Sequence, residues 1–200
     1  MHDMSKSSKS TQCVHGSLIP DGSGAVVTPI YQTSTFSFKS VQEGADLFQG
    51  KGEGYIYTRL GNPTVRAVEK AVALLENGYD GIGCASGMAA LHLAFASVLK
   101  AGGHAICSES VYGPVVGLFE QQFGNWDVDV DFVDTADLEK VEAALRPETM
   151  LIHVETPANP TMAVSDIAAV AQRAHRHGAV MSVDNTFMSP ILQKPFRFGA

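Results

Sequence analysis

The sequence predicts an α/β fold in which a mainly parallel sheet carries helices on both faces, preceded by an extended N-terminal arm. From residue 81 onward, short runs of apolar and β-branched residues alternate with stretches of helical spacing. Such alternation is typical of parallel sheets that are covered on both sides. Residues 1–60 are instead rich in Ser, Gly, Thr and Pro. A segment of this composition cannot bury a core alone, so we expect it to pack on another body.

The elements follow in order along the chain. Within residues 1–60, only 41–48 have the pattern of a helix, and Asn62 followed by Pro63 then predicts the start of a helix that continues to Gly78. The remaining apolar runs and periodic stretches predict strands at 81–85, 104–108, 127–133, 150–155 and 179–183, with helices at 86–100, 113–123, 136–145 and 165–177. We therefore expect an arm over 1–60 and an α/β domain over 61–200.

Composition excludes several classes of function. Hydrophobic residues make up 45% and charged residues 18%, and the net charge of −7 comes without any Lys/Arg-dense block, which argues against a nucleic-acid partner. The three cysteines lack metal-like spacing, which indicates reduced thiols in a cytoplasmic protein without a metal site. No apolar run approaches a membrane span, and the polar N-terminus is not a signal peptide.

Polar residues stand at the ends of several predicted strands. In parallel sheets ligands bind outside these carboxyl ends, so we expect Ser86, Glu155 and Asp184 to cluster. At Ser86-Gly87-Met88 a strand gives way to a helix, whose free N–H groups suit a phosphate. A simple N-cap would explain the same residues.

Three further motifs contribute candidates. Arg59, in YIYTRLGNPT, offers a planar fork suited to phosphate or carboxylate. Tyr112 follows a strand end, where its ring could stack on a flat ligand. Asn159 belongs to ETPANPT, a loop with two prolines near the same edge of the sheet. Taken singly, these residues are equally explained as a surface arginine, a rim tyrosine and a structural turn, and Asp184 as a helix cap.

The combination of a carboxylate with a phosphate-binding helix end is more specific. It suits a ligand that carries both a phosphate and a basic nitrogen, and pyridoxal 5'-phosphate is such a ligand. A carboxylate beside the ring nitrogen, here Asp184, favours its protonated form. The protonated ring then withdraws electrons from a substrate carbanion.

The motifs YTRLGNPT, ASGMAA, YGPV, ETPANPT and VDNTF occur in this order, and in them the chain resembles the cystathionine/methionine-metabolism family of pyridoxal-phosphate enzymes, the trans-sulfuration enzymes. The resemblance implies the fold type I architecture of PLP-dependent transferases. It also implies a catalytic Asp184 that pairs with the pyridine nitrogen and a catalytic Tyr112 that stacks on the ring. The remaining cofactor contacts implied are Ser86, Gly87 and Met88 at the phosphate, Tyr57 and Arg59 at the phosphate of a neighbouring subunit, and Asn159 near the phenolic oxygen, with Glu155 in a supporting position.

The resemblance further implies a homodimer or homotetramer with active sites shared between subunits, and a sulfur amino acid as substrate. It is strongest to members that eliminate the γ-substituent of L-methionine or cystathionine, giving a thiol, ammonia and 2-oxobutyrate. Methionine-degrading members commonly carry Y-G-C-T at the stacking tyrosine, whereas residues 112–115 read YGPV. γ-Replacement on an activated homoserine therefore stays open.

In the family, the lysine that binds the cofactor covalently lies in an S-x-T-K segment downstream of the Asp184 position. No such segment occurs before Ala200, so the resemblance implies that 61–200 is an incomplete cofactor-binding domain, that the C-terminal domain is absent and that these residues alone are inactive. A non-catalytic fragment is the alternative. We do not expect Lys194, in ILQKPF, to substitute for that lysine.

Overall fold

The computed structural model describes residues 4–200, and these form two compact units that meet in sequence between Gly83 and Cys84. The first unit contains a short 3₁₀ turn (Met4–Lys6) and helices α1 (Lys9–His15), α2 (Val41–Phe48) and α3 (Pro63–Glu76). The helix over 41–48 is confirmed, whereas α1 was not predicted. Ser8 is the N-cap of α1, and its side chain accepts a hydrogen bond from the Thr11 N–H.

Between α1 and α2, residues 16–40 contain neither helix nor strand, apart from an antiparallel bridge between Thr35 and Tyr57. Buried Asn62 ties this segment to the start of α3. Its Oδ1 accepts from the Thr64 N–H at 2.8 Å, while its Nδ2 donates to the Tyr31 carbonyl at 2.9 Å and to Thr58 Oγ1 at 3.0 Å. The predicted N-cap is thus confirmed, and it also holds the chain that precedes the helix.

The predicted strand at 81–85 is wrong. The Gly81 N–H donates to Asp80 Oδ1 at 2.8 Å, and the Gly83 N–H donates to Glu69 Oε1 at 2.8 Å. Arg66 pairs with Asp80 through two bonds of 2.6 and 2.9 Å. Side-chain carboxylates therefore take the amides that a sheet would need, in a glycine-rich stretch that favours strands weakly. The first unit includes α3 and extends to Gly83, and the division into an arm over 1–60 and a domain over 61–200 stays a prediction.

The second unit is a four-stranded parallel sheet in the order β2-β1-β3-β4. Its strands are β1 (His104–Ser108), β2 (Asp129–Val133), β3 (Thr149–Glu155) and β4 (Val180–Asp184). Its helices are α4 (Gly87–Val98), α5 (Gly113–Gly117) continued by a π-helical stretch (Leu118–Phe123) and a 3₁₀ turn (Gly124–Trp126), α6 (Leu138–Ala143), α7 (Ile167–His177), and α8 (Ser189–Leu192) followed by a 3₁₀ turn (Pro195–Phe198).

The core lies on both faces of this sheet, as predicted. Ala105 and Cys107 of β1 pack with the stacked rings of Phe95 and Phe119, whose centroids are 4.8 Å apart. Alternate residues of β1 and β3 turn to the other face and join a second cluster with α6 and α7: Ile106, Ile152, Val154, Val141, Ile167 and Val170. Helices thus cover both faces and leave the ends of the strands open.

None of the described helices combines the length and apolar character needed to cross a bilayer. No group of three or more His, Cys, Asp or Glu side chains among residues 4–200 is arranged to hold a metal ion.

Candidate active site

A cavity of about 350 Å³ opens at the carboxyl ends of β3 and β4. This volume is in the range of small-molecule sites. The cavity brings together every predicted site residue of the second unit, including Glu155. Its lining consists of Ser86, Gly87, Met88, Leu91, Tyr112, Glu155, Asn159, Asp184, Thr186 and Phe187.

The first turn of α4 forms one wall of the cavity. Ser86 is its N-cap, and the Ser86 Oγ accepts from the Ala89 N–H at 3.1 Å. The N–H groups of Gly87 and Met88 have no acceptor within residues 4–200. A Cβ placed on Gly87 would meet no atom within 4 Å. The helix start therefore offers unpaired N–H groups, the positive end of its dipole and open space, which together suit an anion.

Asp184 is the last residue of β4 and contributes a hydrogen-bond acceptor to the cavity. Its Oδ1 accepts from the Thr186 N–H at 2.9 Å and from the Thr186 hydroxyl. Its Oδ2 takes no hydrogen bond from the described part of the chain. Asp184 is not the cap of the next helix, because Met188 holds that position for α8. One carboxylate oxygen is thus available to a donor in the cavity.

Tyr112 and Asn159 come from the loops after β1 and β3. Tyr112 is 44% exposed and lines the cavity, so its ring is accessible to a flat ligand. The buried Glu155 carboxylate accepts the N–H groups of both residues.

Leu91, Thr186 and Phe187 line the cavity but were not predicted. Sequence signals for them existed: Leu91 lies one helical turn after Gly87, and Thr186 and Phe187 directly follow Asp184.

His153 is buried on the same face of β3 as Glu155, two residues earlier. Its Nδ1 is 2.7 Å from Ser182 Oγ, and its ring meets that of Phe95 edge-on with centroids 4.8 Å apart. Burial lowers the pKa of His153 to about 4, against a smaller opposing effect of the Asp184 charge. The imidazole is therefore neutral at physiological pH.

Tyr57 and Arg59 belong to the first unit, where they line another cavity of about 740 Å³. The guanidinium carbon of Arg59 lies 5.3 Å from the centroid of the Tyr57 ring, a cation–π arrangement. Arg59 has no ion-pair partner within residues 4–200, so its planar fork can receive an anion.

Lys194 does not line the cavity of the second unit. It is 8% exposed and precedes the final 3₁₀ turn.

The fold and the cavity define a parallel α/β domain whose candidate site suits a ligand carrying an anionic group and a basic nitrogen. A family model described as "Cys/Met metabolism PLP-dependent enzyme" matches residues 10–200. The chain belongs to this family, and pyridoxal phosphate is the family's cofactor.

Individual relatives agree with this placement. The chain is 45% identical to L-methionine gamma-lyase of Treponema denticola over 94% of its own length and 47% of that protein. It is 41% identical to cystathionine gamma-synthase of Mycobacterium bovis, over 97% of its length and 48% of the relative. The crystal structure of metB from Corynebacterium glutamicum superposes with a TM-score of 0.92 at 40% identity, covering 100% of this chain and 50% of that one. The chain thus spans about half the length of its relatives.

The residues of the cavity fit the family's cofactor. The unpaired amides at the start of α4, beside a glycine with open space, suit its phosphate. The unpaired oxygen of Asp184 suits its protonated ring nitrogen.

Proposed function

We propose that the protein carrying this chain is a pyridoxal-phosphate carbon–sulfur lyase. It eliminates the γ-substituent of L-methionine or cystathionine and releases a thiol, ammonia and 2-oxobutyrate. The observation that carries this proposal is that Asp184 and the first turn of α4 face the same cavity. The methionine γ-lyase among the relatives supports the choice of reaction.

The residues of the cavity have separate tasks in this proposal. The bound cofactor supplies an electron sink for the substrate carbanion. Asp184 Oδ2 would accept a hydrogen bond from the protonated ring nitrogen, because a neighbouring negative charge favours the cationic form. The amides of Gly87 and Met88, with the Ser86 hydroxyl, bind the phosphate.

Two side chains orient the ring. Tyr112 packs its exposed face on it, which fixes its plane and excludes water from one side. The Asn159 side-chain amide would donate a hydrogen bond to the phenolic oxygen. With Asp184 at the ring nitrogen, the ring would have three protein contacts, which together would fix its orientation.

We propose a homodimer, doubled into a homotetramer, in which Tyr57 and Arg59 bind the phosphate in a neighbouring subunit. Two observations support this. Arg59 has no carboxylate partner in the part of its own chain that the structure describes, and α3 leaves apolar side chains exposed: Val65 at 43%, Val68 at 60% and Val72 at 47%. Apolar side chains at this exposure suit a closed two-fold contact.

γ-Replacement is the second candidate. A cystathionine gamma-synthase relative has nearly the same identity to this chain as the lyase relative. In such a reaction a thiol or sulfide replaces the acyl group of O-acetyl- or O-succinylhomoserine at the γ-carbon, and acetate or succinate leaves.

We place the protein in the cytoplasm, because Cys13, Cys84 and Cys107 are free thiols.

The deciding experiment supplies pyridoxal phosphate with each substrate to the protein that carries this chain. We expect 2-oxobutyrate and a thiol from L-methionine or cystathionine without an added thiol acceptor. Product formed only from O-succinylhomoserine with cysteine or sulfide would assign replacement instead. Cofactor binding without either product would favour a non-catalytic protein.

A further inference from the structure

One carboxylate connects the two loops that line the candidate active site. Glu155 ends β3 and is 6% exposed. Its Oε1 accepts the Asn159 N–H at 2.9 Å, and its Oε2 accepts the Tyr112 N–H. Each oxygen therefore holds one main-chain donor, and these donors belong to different loops.

Val111 anchors the Tyr112 loop in the core, but polar links from this loop to the Asn159 loop are few within residues 4–200. Tyr112 is the N-cap residue of α5, and that helix has no side-chain cap. The other polar link between the loops joins the hydroxyls of Thr161 and Ser110 at 3.2 Å and is exposed to solvent. Hydrogen bonds that involve a buried charge are stronger than such neutral, solvated ones.

The connection between the two loops requires that both side-chain oxygens of residue 155 act as hydrogen-bond acceptors. Glu155 has no Lys or Arg ion-pair partner among residues 4–200, so the two N–H dipoles are what offset its buried charge. A glutamine of the same shape would turn an NH₂ donor toward one of these N–H donors. One of the two bonds would then be lost and replaced by a donor–donor contact.

We propose that Glu155 is a positioning residue that holds the Tyr112 and Asn159 loops at the separation required by a flat ring between them. The identity of that ring rests on the proposed function, whereas the connection between the loops does not. Glu155 acts through the two loop residues and needs no contact with the reacting atoms.

Amide hydrogen exchange without cofactor tests the connection first. In the wild type, the amides of Tyr112 and Asn159 should exchange more slowly than that of Gly113, which has no acceptor among the described residues. In Glu155→Gln, at least one of the two should exchange about 10- to 100-fold faster. The matched control is Glu109→Gln, an exposed glutamate just beyond β1, which should change neither. Unchanged exchange in Glu155→Gln would overturn the proposal.

Cofactor affinity and steady-state kinetics test the consequence. We expect Glu155→Gln to weaken pyridoxal-phosphate binding and to lower kcat more than it raises KM, because the ring is misplaced while the substrate still enters. If the amides lose protection but affinity and kcat stay at the wild-type level, the positioning role is wrong. If the wild type binds no pyridoxal phosphate, the proposed function fails and the exchange result still decides the connection.

Glu155→Asp provides a second variant, should Glu155→Gln not fold. Its carboxylate is one methylene shorter and cannot reach both loops, so only one amide should keep its protection. Full protection of both amides in Glu155→Asp would contradict the geometry proposed here. The wild type alone also tests the geometry. If its Tyr112 and Asn159 amides exchanged as fast as the Gly113 amide, the connection through Glu155 would be contradicted.

Discussion

Glu155 and Asp184 are register partners in the parallel pairing of β3 with β4, so two carboxylates lie side by side at the carboxyl ends of these strands. Both oxygens of Glu155 are occupied by main-chain donors, whereas Asp184 uses one oxygen for Thr186. Of the two neighbours, only Asp184 thus keeps an oxygen for a ligand. This difference explains how one residue can shape the cavity while the other serves the cofactor.

The first prediction concerns the phosphate end of the cavity. Gly87→Ala should weaken pyridoxal-phosphate binding, because its Cβ would enter space that is now empty to 4 Å. The loss of one charge-assisted hydrogen bond, about 1.5–3 kcal/mol, corresponds to roughly tenfold or more in affinity. Equilibrium dialysis measures this change.

Folding serves as the internal control for Gly87→Ala. Thermal stability should stay the same or rise, since alanine favours a helix over glycine by up to about 1 kcal/mol. Gly117→Ala, in α5, should leave the affinity unchanged, because its added Cβ would lie 3.8 Å from Gln121 Nε2, an ordinary contact away from the cavity. If both variants lost the same affinity, the assignment of the phosphate site to the start of α4 would be wrong.

The second prediction concerns acid stability. His153 is neutral in the folded protein with a pKa of about 4, while an unfolded histidine titrates near 6.5. The unfolded state therefore binds the proton first, and stability is full above pH 6.5 and falls as the pH drops toward 4. The loss amounts to about 3 kcal/mol, from roughly 1.4 kcal/mol per pKa unit.

His153→Phe should reduce the fall in unfolding free energy between pH 6.5 and 4, measured by urea titration. The ring keeps its contact with Phe95, and the buried Nε2, which has no hydrogen-bond partner, is removed. Part of the acid loss should persist, because burial also lowers the pKa of His104. His175→Phe, on the exposed side of α7, is the control. An unaltered pH profile in His153→Phe would show that His153 does not control acid stability.

Much of the second unit could be predicted from the sequence, because strand ends there are marked by apolar runs and parallel strands bring their carboxyl ends together. Asp184 was located in this way, whereas Ser86 was located from the start of α4, since the strand predicted before it does not form. The false strand at 81–85 arose because Glu69, fourteen residues earlier, takes an amide that a sheet would use. The bond from the Tyr112 N–H to Glu155 spans 43 residues and leaves no periodic signal in the sequence.

The third prediction concerns shared active sites. Arg59→Ala and Asp184→Ala should each be nearly inactive alone. After mixed refolding, activity should return to about one quarter of the wild type, because half of randomly paired dimers are mixed and each of those has one intact site. Assay of the refolded mixture measures this. No recovery, with mixed dimers demonstrated by mass spectrometry, would place Arg59 in the site of its own subunit or outside it.

The central claim is that Asp184 holds a proton on the cofactor's ring nitrogen, and Asp184→Asn tests it most directly. Asparagine keeps the size and one acceptor but removes the charge. Bound pyridoxal phosphate and turnover of L-methionine should be measured side by side in the protein that carries this chain. Binding should fall little, because α4 still holds the phosphate, while each lost pKa unit at the ring nitrogen is worth about 1.4 kcal/mol, so turnover should fall by orders of magnitude. Near-normal turnover with normal binding would mean that Asp184 only fixes the turn at Thr186, and the function proposed for this cavity would be wrong.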